Sequence, residues 1–366
     1  MKKEINHFAA LLAMTAMTFV PIPTFSSCSD DSQEEQNGKT PDMSAYDMNR
    51  PVGFGQKVTG SNNQNPILVT TEAELRNAVS GTAPATVYVQ GKIVLSTRVM
   101  VGSNKTILGV AGASVENANR DENAGILTLA GSDNVIIRNL TLLGPGAYDI
   151  DVNNGDNISL ANATNVWVDH CDIQDGIDGN FDIVAGSDNI CCSWTRFRYL
   201  IDPKAGGSGG NDNHCNSNLI GNSNNSADVD EGHLNCTFIN CWWGTGCVER
   251  CPRVRFGKVH VVNCLYDGTE YNYCIGYGVY SNIYVEKCAF TTDVARTNAL
   301  HDWSGGKDFN LKVVNCLGLE DTELRQGDRT QFVPTYDYLS YDADKVAAVL
   351  TDADTGAGAT LNIRFE

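Results

Sequence analysis

From about residue 86 onward the chain is written in short apolar runs separated by Asn, Gly and Asp. Thr86 to Val89, Lys92 to Leu95, Thr106 to Leu108 and Ile126 to Leu129 are such runs. They are rich in β-branched residues, bounded by turn formers and too short for helices, so each predicts a strand. One segment breaks the pattern. Thr71 to Val79 has helical spacing, with Thr71 as N-cap and Glu74 three residues on, the pairing of a capping box.

The strand-like runs keep a register. Asn134 to Leu140, Asn165 to Cys171, Asn189 to Thr195 and Asn282 to Cys288 each begin with Asn, continue through an apolar run and turn into a second short run. Segments ending Asn240-Cys241, Asn263-Cys264 and Asn315-Cys316 keep the second half of the pattern. The equivalent column is 140, 171, 195, 241, 264, 288 and 316, with gaps of 31, 24, 46, 23, 24 and 28 residues. Taking the 46 as two coils of 23, the period is 23–24 residues, which fits three short strands per turn of an all-β parallel β-helix. Coils stacked at strand spacing, about 4.8 Å, put like residues on like. Asn at the corners tolerates left-handed backbone and bonds its neighbour's backbone. Cys241, Cys264, Cys288 and Cys316 would then stack at disulfide reach, and a column of buried thiols is the preferred reading. The tail, a loop over 336–341 and a short helix over 342–350, is expected to cover the β-helix.

Composition changes the picture at two places. The chain has 366 residues, 42% hydrophobic and 19% charged, an ordinary folded balance. Its formal net charge of -18, with no basic stripe, argues against nucleic acid as a partner. Against that background Arg250, Arg253 and Arg255 crowd into Arg250-Cys-Pro252-Arg253-Val-Arg255. A cationic spot on an acidic protein faces a specific anionic group. The N-terminus is the second place. Lys2 and Lys3 precede an apolar stretch, Phe8 to Val20, too short to span a bilayer, and small residues then lead to Cys28. This resembles a bacterial lipoprotein signal with Cys28 lipidated. The acidic run Ser29 to Glu35 resembles the export tag of surface lipoproteins in Bacteroidetes. The implied plan is a signal peptide over 1–27, a polar tether over 28–48 and one domain over 49–366. The protein would be exported to the outer membrane, at the cell surface, touching membrane only through Cys28; a plain secretory signal is the alternative. Of 13 cysteines, twelve remain without Cys28. The Cys247 and Cys251 pair lacks the second pair a zinc site needs.

Asp156, Asp178 and Asp182 suit a hard cation. Asp178-Gly-Asn-Phe-Asp182 spaces two carboxylates by four residues, and across a turn they would converge with Asp156 of the previous coil. Taken alone, Asp-rich surface turns explain them as well. In Trp167-Val-Asp169-His170 the His beside Asp is read as a buried hydrogen-bonded pair rather than a catalytic one, and His260 likewise.

The arginine segment and Asn165 to His170 together resemble the signature of the pectate lyase superfamily, polysaccharide lyase family 1. The resemblance is strong over 134–204 and 250–266. It implies a right-handed β-helix and a monomeric, calcium-dependent lyase that cleaves α-1,4-linked galacturonan, an acidic polysaccharide, by β-elimination. Arg250, Pro252 and Arg255 match R-x-P-x-x-R. By resemblance Arg250 is the Brønsted base, Arg255 holds or orients substrate, and Arg253 and Lys204 bind substrate, Lys204 through a carboxylate as a catalytic aid. Asp156 stands eleven residues before Trp167, as one family Ca2+ ligand does before its tryptophan. Asp178 and Asp182 fall on two later ligands, while Asn154 stands where many members have another Asp. Arginine is normally protonated to above pH 12. Calcium, Lys204 and Arg255 would disfavour its charged form, so an alkaline optimum is expected. The alternatives are a pectin lyase on methyl-esterified polymer, a polygalacturonase with paired carboxylates, and a glycan-binding β-helix without activity.

Overall fold

The structure is a computed structural model that describes residues 49–148, 155–205 and 213–365. Strands come in threes, one on each side of a coil. Leu127–Ala130, Asp133–Arg138 and Thr141–Leu143 make one coil. Ile158–Ala161, Thr164–Asp169 and Asp172–Gln174 make the next. Each strand pairs in parallel with its counterpart one coil on, so that Val166 lies between Val135 and Ile190. The result is a right-handed parallel β-helix with sheets of eleven, eight and eight strands. Sheet 1 contains Asp133–Arg138, sheet 2 Thr141–Leu143 and sheet 3 Leu127–Ala130.

The corners explain the Asn register. Between sheets 1 and 2, Asn139, His170, Trp194, Asn240, Asn263, Lys287 and Asn315 all have positive φ. The next residue in each case belongs to the column at 140, 171, 195, 241, 264, 288 and 316. Asn104, Asn134, Asn165 and Asn189 take the same conformation at the entry to sheet 1, and Asn134 Nδ2 donates to Asn104 Oδ1 at 3.1 Å. Asn282 departs from the expectation. The left-handed corner falls on Tyr280 instead, and Asn282 Oδ1 accepts from Phe332 N–H at 2.7 Å, docking the tail.

One period is corrected. Arg196 pairs directly with Trp242, so the 46 residues from Thr195 to Cys241 are a single coil, not two. Ladder pairing fixes only the strand sides; corner loops lie outside the ladder and lengthen at little cost. The surplus sits mainly in the loop after Arg196–Arg198 and in the turn containing the helix Ala227–Asp230.

The interior is apolar and stacked. Phe197, Trp243, Tyr266 and Phe290 occupy one register, with successive ring centroids 5.5, 5.1 and 4.4 Å apart. Beside them Cys241, Cys264 and Cys288 each donate a backbone N–H to the next thiol, Cys264, Cys288 and Cys316, at 3.4 Å. The twelve cysteines among the described residues are free thiols, all buried except half-buried Cys316. Burial pushes the Cys171 thiol up to about 12, which keeps it unreactive.

The ends are closed. Glu72–Val79 is helical with both halves of the Thr71 capping box formed, and it buries Leu75 and Val79. Thr322–Gln326 pairs antiparallel with Phe309–Val314 and ends sheet 1. The tail covers the β-helix as expected, and Val346–Leu350 packs against Trp194, Leu265 and Ala289. Tyr336 hydroxyl meets His260 Nδ1 at 2.9 Å, and His260 Nε2 meets Glu286 Oε1 at 2.9 Å. His170 Nδ1 meets Asp169 Oδ2 at 2.7 Å, while Ser193 Oγ donates to Asp169 Oδ1 and accepts from Trp167 Nε1. Both histidines are buried in structural networks. No helix among the described residues is long and apolar enough to cross a membrane. Cys28, the signal and tether, Asn154 and the Gly206 to Gly210 run lie outside the described residues.

Candidate active site

Part of the surplus lies at the corner where successive coils pass from sheet 2 to sheet 3. The loops there carry, coil after coil, Asp156, then Asp178, then Lys204 and His214, then Arg250. The outward face of sheet 3 continues the row. Ser159 pairs with Asp182, Leu219 with Arg253, Arg253 with Gly276, and Gly276 with His301.

Asp156 and Asp182 converge. A Cβ on Gly179 would stand 2.7 Å from Asp156 Oδ1 and 3.1 Å from Asp182 Oδ1, so both carboxylates lean over a residue that has none. Asp156 Oδ2 accepts from Ser159 Oγ at 2.9 Å, but its buried Oδ1 has no partner among the described residues. Asp182 Oδ1 accepts from Leu219 N–H at 2.9 Å. Burial pushes Asp156 well above the usual carboxylate range, with the charges of Asp182 and Asp178 adding to it. Burial likewise pushes Asp182 up to about 7, against the pull of Arg250. Two buried carboxylates and an orphaned oxygen make a place for a cation. Asp178 is turned aside, its Oδ1 3.0 Å from His214 Nε2. Consistent with that, no group of three or more acidic, His or Cys side chains converges on one point among the described residues. The donor set nonetheless fits a hard oxygen-seeking ion: two carboxylates in contact and a third on the adjoining turn.

Arg250 faces this pair. Its charge acts on both Asp156 and Asp182. It sits in left-handed backbone, φ 59°, ahead of a cis Cys251–Pro252 bond. A non-glycine residue held there costs energy that the surrounding structure must supply. Its buried Nε lacks a hydrogen-bond partner among the described residues. Glu249, the obvious ion-pair candidate, instead accepts from Asn272 Nδ2 at 3.1 Å. Below the turn, Tyr266 hydroxyl donates to Cys251 C=O at 2.9 Å, so the aromatic stack holds the segment from beneath.

The family model for pectate lyase matches residues 28–358. The chain belongs to the pectate lyase family. Among its curated relatives, pectate lyase plyB of Emericella nidulans is 33% identical over 227 residues, 59% of this chain and 61% of that one. A probable pectate lyase B of Aspergillus terreus is 31% identical over 263 residues, covering 69% and 71%. The chain thus spans about three fifths to seven tenths of those relatives, 61% and 71% respectively. A solved pectate lyase bound to hexasaccharide superposes with TM-score 0.67 at 20% identity, covering 88% of this chain and 100% of that one, a likeness of fold.

Within this pectate lyase fold the remaining predicted residues are spread along sheet 3 and its flanking corners. Arg255 is buried; its Nε donates to Asn224 Oδ1 at 2.7 Å and an Nη donates to Gly221 C=O. Burial, then Arg253 and Arg250, push it down to about 10. Two of its donors are spent on the fold. Arg253 stands on the outward face with its guanidinium 4.2 Å from the centroid of Trp303. Lys204 is exposed, its backbone N–H donating to Ala147 C=O at 2.9 Å and its ammonium 5.7 Å from the Tyr148 ring centroid, a ring that Arg120 also covers at 3.8 Å. Sequence reasoning missed Gly179, His214, Asn224 and Tyr273. Gly179 had a signal, since it lies between the two Asp of Asp178 to Asp182. His214 had none, being placed by a long loop without periodicity.

Proposed function

We propose that this chain is a calcium-dependent pectate lyase that cleaves α-1,4-linked galacturonan by β-elimination. The observation that carries the proposal is Arg250 set beside the converging carboxylates Asp156 and Asp182. Asp156 and Asp182, with Asp178 adjoining, would hold the cation. When bound, calcium neutralises the uronate carboxylate and makes the proton at C5 more acidic. Arg250 in its neutral form takes that proton; the C5–H electron pair forms the C4–C5 double bond, and the C4–O bond breaks with its pair leaving on the oxygen, which takes a proton from water as the rest of the chain is released. Arg253 and Lys204 bind further carboxylates along the groove. Arg255 helps hold or orient substrate and adds positive field near Arg250. Export as a lipoprotein anchored through Cys28 at the outer membrane surface belongs to the same proposal, supported by the Lys2 to Glu35 pattern.

Mass spectrometry of digests of polygalacturonate separates the chemistries. Elimination gives oligomers lighter by one water than those of hydrolysis, each with an unsaturated end. Saturated products alone would replace the lyase with a hydrolase.

A further inference from the structure

Beyond Arg250, on the side away from the acidic pair, the outward face of sheet 3 ends in a group of rings. Tyr273 and His301 stack with centroids 5.2 Å apart, His301 and Trp303 are 4.9 Å apart, and Tyr273 meets Trp303 edge-on at 6.1 Å. Gly276 makes the assembly possible. A Cβ there would stand 2.9 Å from the Tyr273 ring, 3.1 Å from Trp303 Cδ1 and 3.3 Å from Arg253 Cγ. Three side chains from three successive coils close over one glycine. Tyr273 is buried, yet its hydroxyl has no hydrogen-bond partner among the described residues, and neither has Arg253 Nε. Trp303 is the reverse: 37% exposed although indole is costly to leave in water. Arg253 lies over the Trp303 ring, and the rest of the indole is exposed on the face of sheet 3 that also carries Arg253.

We propose that Trp303, supported by His301 and Tyr273, is a subsite that stacks on a pyranose ring of the galacturonan chain beyond the cleaved bond. The proposal rests on the lyase function given above, which supplies the occupant. The platform is continuous with the Arg250 segment through Arg253, so a chain lying across Arg250 and leaving along sheet 3 must cross it. The chemistry divides between two groups. The exposed part of the indole offers an apolar surface to the ring's C–H bonds, and Arg253, over that indole, offers N–H donors to the carboxylate of the same sugar. Trp303 thereby sets how much of the polymer is gripped, and acts on binding rather than on the proton transfer.

Trp303 also reports on itself. Of the five tryptophans, Trp167, Trp194 and Trp243 are buried and Trp242 is half-buried. In an Arg250→Ala background with calcium, adding a hexamer of α-1,4-linked galacturonate is expected to shift the tryptophan emission to shorter wavelength. The additional change Trp303→Phe is expected to remove that shift. In the otherwise wild-type enzyme, Trp303→Ala is expected to raise KM for polygalacturonate about five- to tenfold with kcat nearly held, and Trp303→Phe to recover most of the loss. An emission shift that survives Trp303→Phe, or a fall in kcat at constant KM, overturns the subsite. Failure of the wild-type enzyme to form unsaturated product overturns the lyase function instead, which the emission measurement distinguishes because it needs no turnover.

Discussion

At the residue scale the site is a set of charges that the fold forces together. Arg250 is the residue whose loss is most specific. Arg250→Ala is expected to lower kcat by about 10²- to 10⁴-fold, the range for removing a positioned acid or base, with the melting temperature little changed. Steady-state kinetics beside a thermal melt checks it. The carboxylates make a second prediction. Burial holds the Asp156 and Asp182 carboxyls above their unfolded values near 4, Asp182 at about 7. Such groups stabilise the fold while protonated, and that stability is lost as pH rises from about 4 through about 7. Without calcium the protein is therefore expected to melt lower at pH 8 than this pair alone allows at pH 5. Calcium at 100 times its dissociation constant is expected to return about 2.7 kcal/mol at pH 8. Asp182→Asn is expected to flatten the pH dependence and shrink the calcium shift. An equal calcium shift in both proteins, followed by differential scanning fluorimetry, would remove these carboxylates from the cation site. Arg250, Asp156, Asp178 and Asp182 came from the family resemblance, since the spacing of the Asp residues alone fits surface turns as well; of the three Asp, the fold brings Asp156 and Asp182 together. His214 and Tyr273 were not legible in the sequence, because long-range loop closure alone brings them in.

At the element scale the corners decide the fold and the loops decide the site. The register of Asn and Cys was readable because every coil must repeat its left-handed corner and its small inward residue. The length of a coil was not, since residues added at a corner leave the ladder unchanged; hence the single coil of 46 residues from Thr195 to Cys241. Part of the surplus carries the site, since Lys204 and His214 sit in the long loop between Arg196–Arg198 and Leu219–Ile220. The stacked interior is itself testable. Tyr266→Phe removes the hydrogen bond to Cys251 C=O and is expected to cost about 1 kcal/mol of stability. It is also expected to lower kcat several-fold, because the Cys251 turn carries Arg250. A loss of stability without any loss of rate, from urea melts and kinetics together, would uncouple the aromatic stack from the site. Thiol titration in denaturant without reductant is expected to find the twelve cysteines of the described residues reduced; disulfides would contradict the thiol column.

At the scale of the whole molecule, an acidic protein of net charge -18 binds a polyanion by concentrating cations along one line. That line runs along sheet 3 and its preceding corner, from Lys204 through Arg250 to Arg253 and Trp303. The helix Glu72–Val79 and the antiparallel strand Thr322–Gln326 close the ends where further strands would otherwise pair. A monomer is accordingly expected in light scattering at micromolar concentration, and a dimer would indicate an edge left open.

The central claim is elimination driven by Arg250 beside a cation held by Asp156 and Asp182. One ultraviolet assay tests it: polygalacturonate with wild-type protein and with Arg250→Lys, each in calcium and in chelator. A steady rise from unsaturated product is expected only for wild-type protein in calcium. A rise of equal rate in chelator, or from Arg250→Lys, would contradict it.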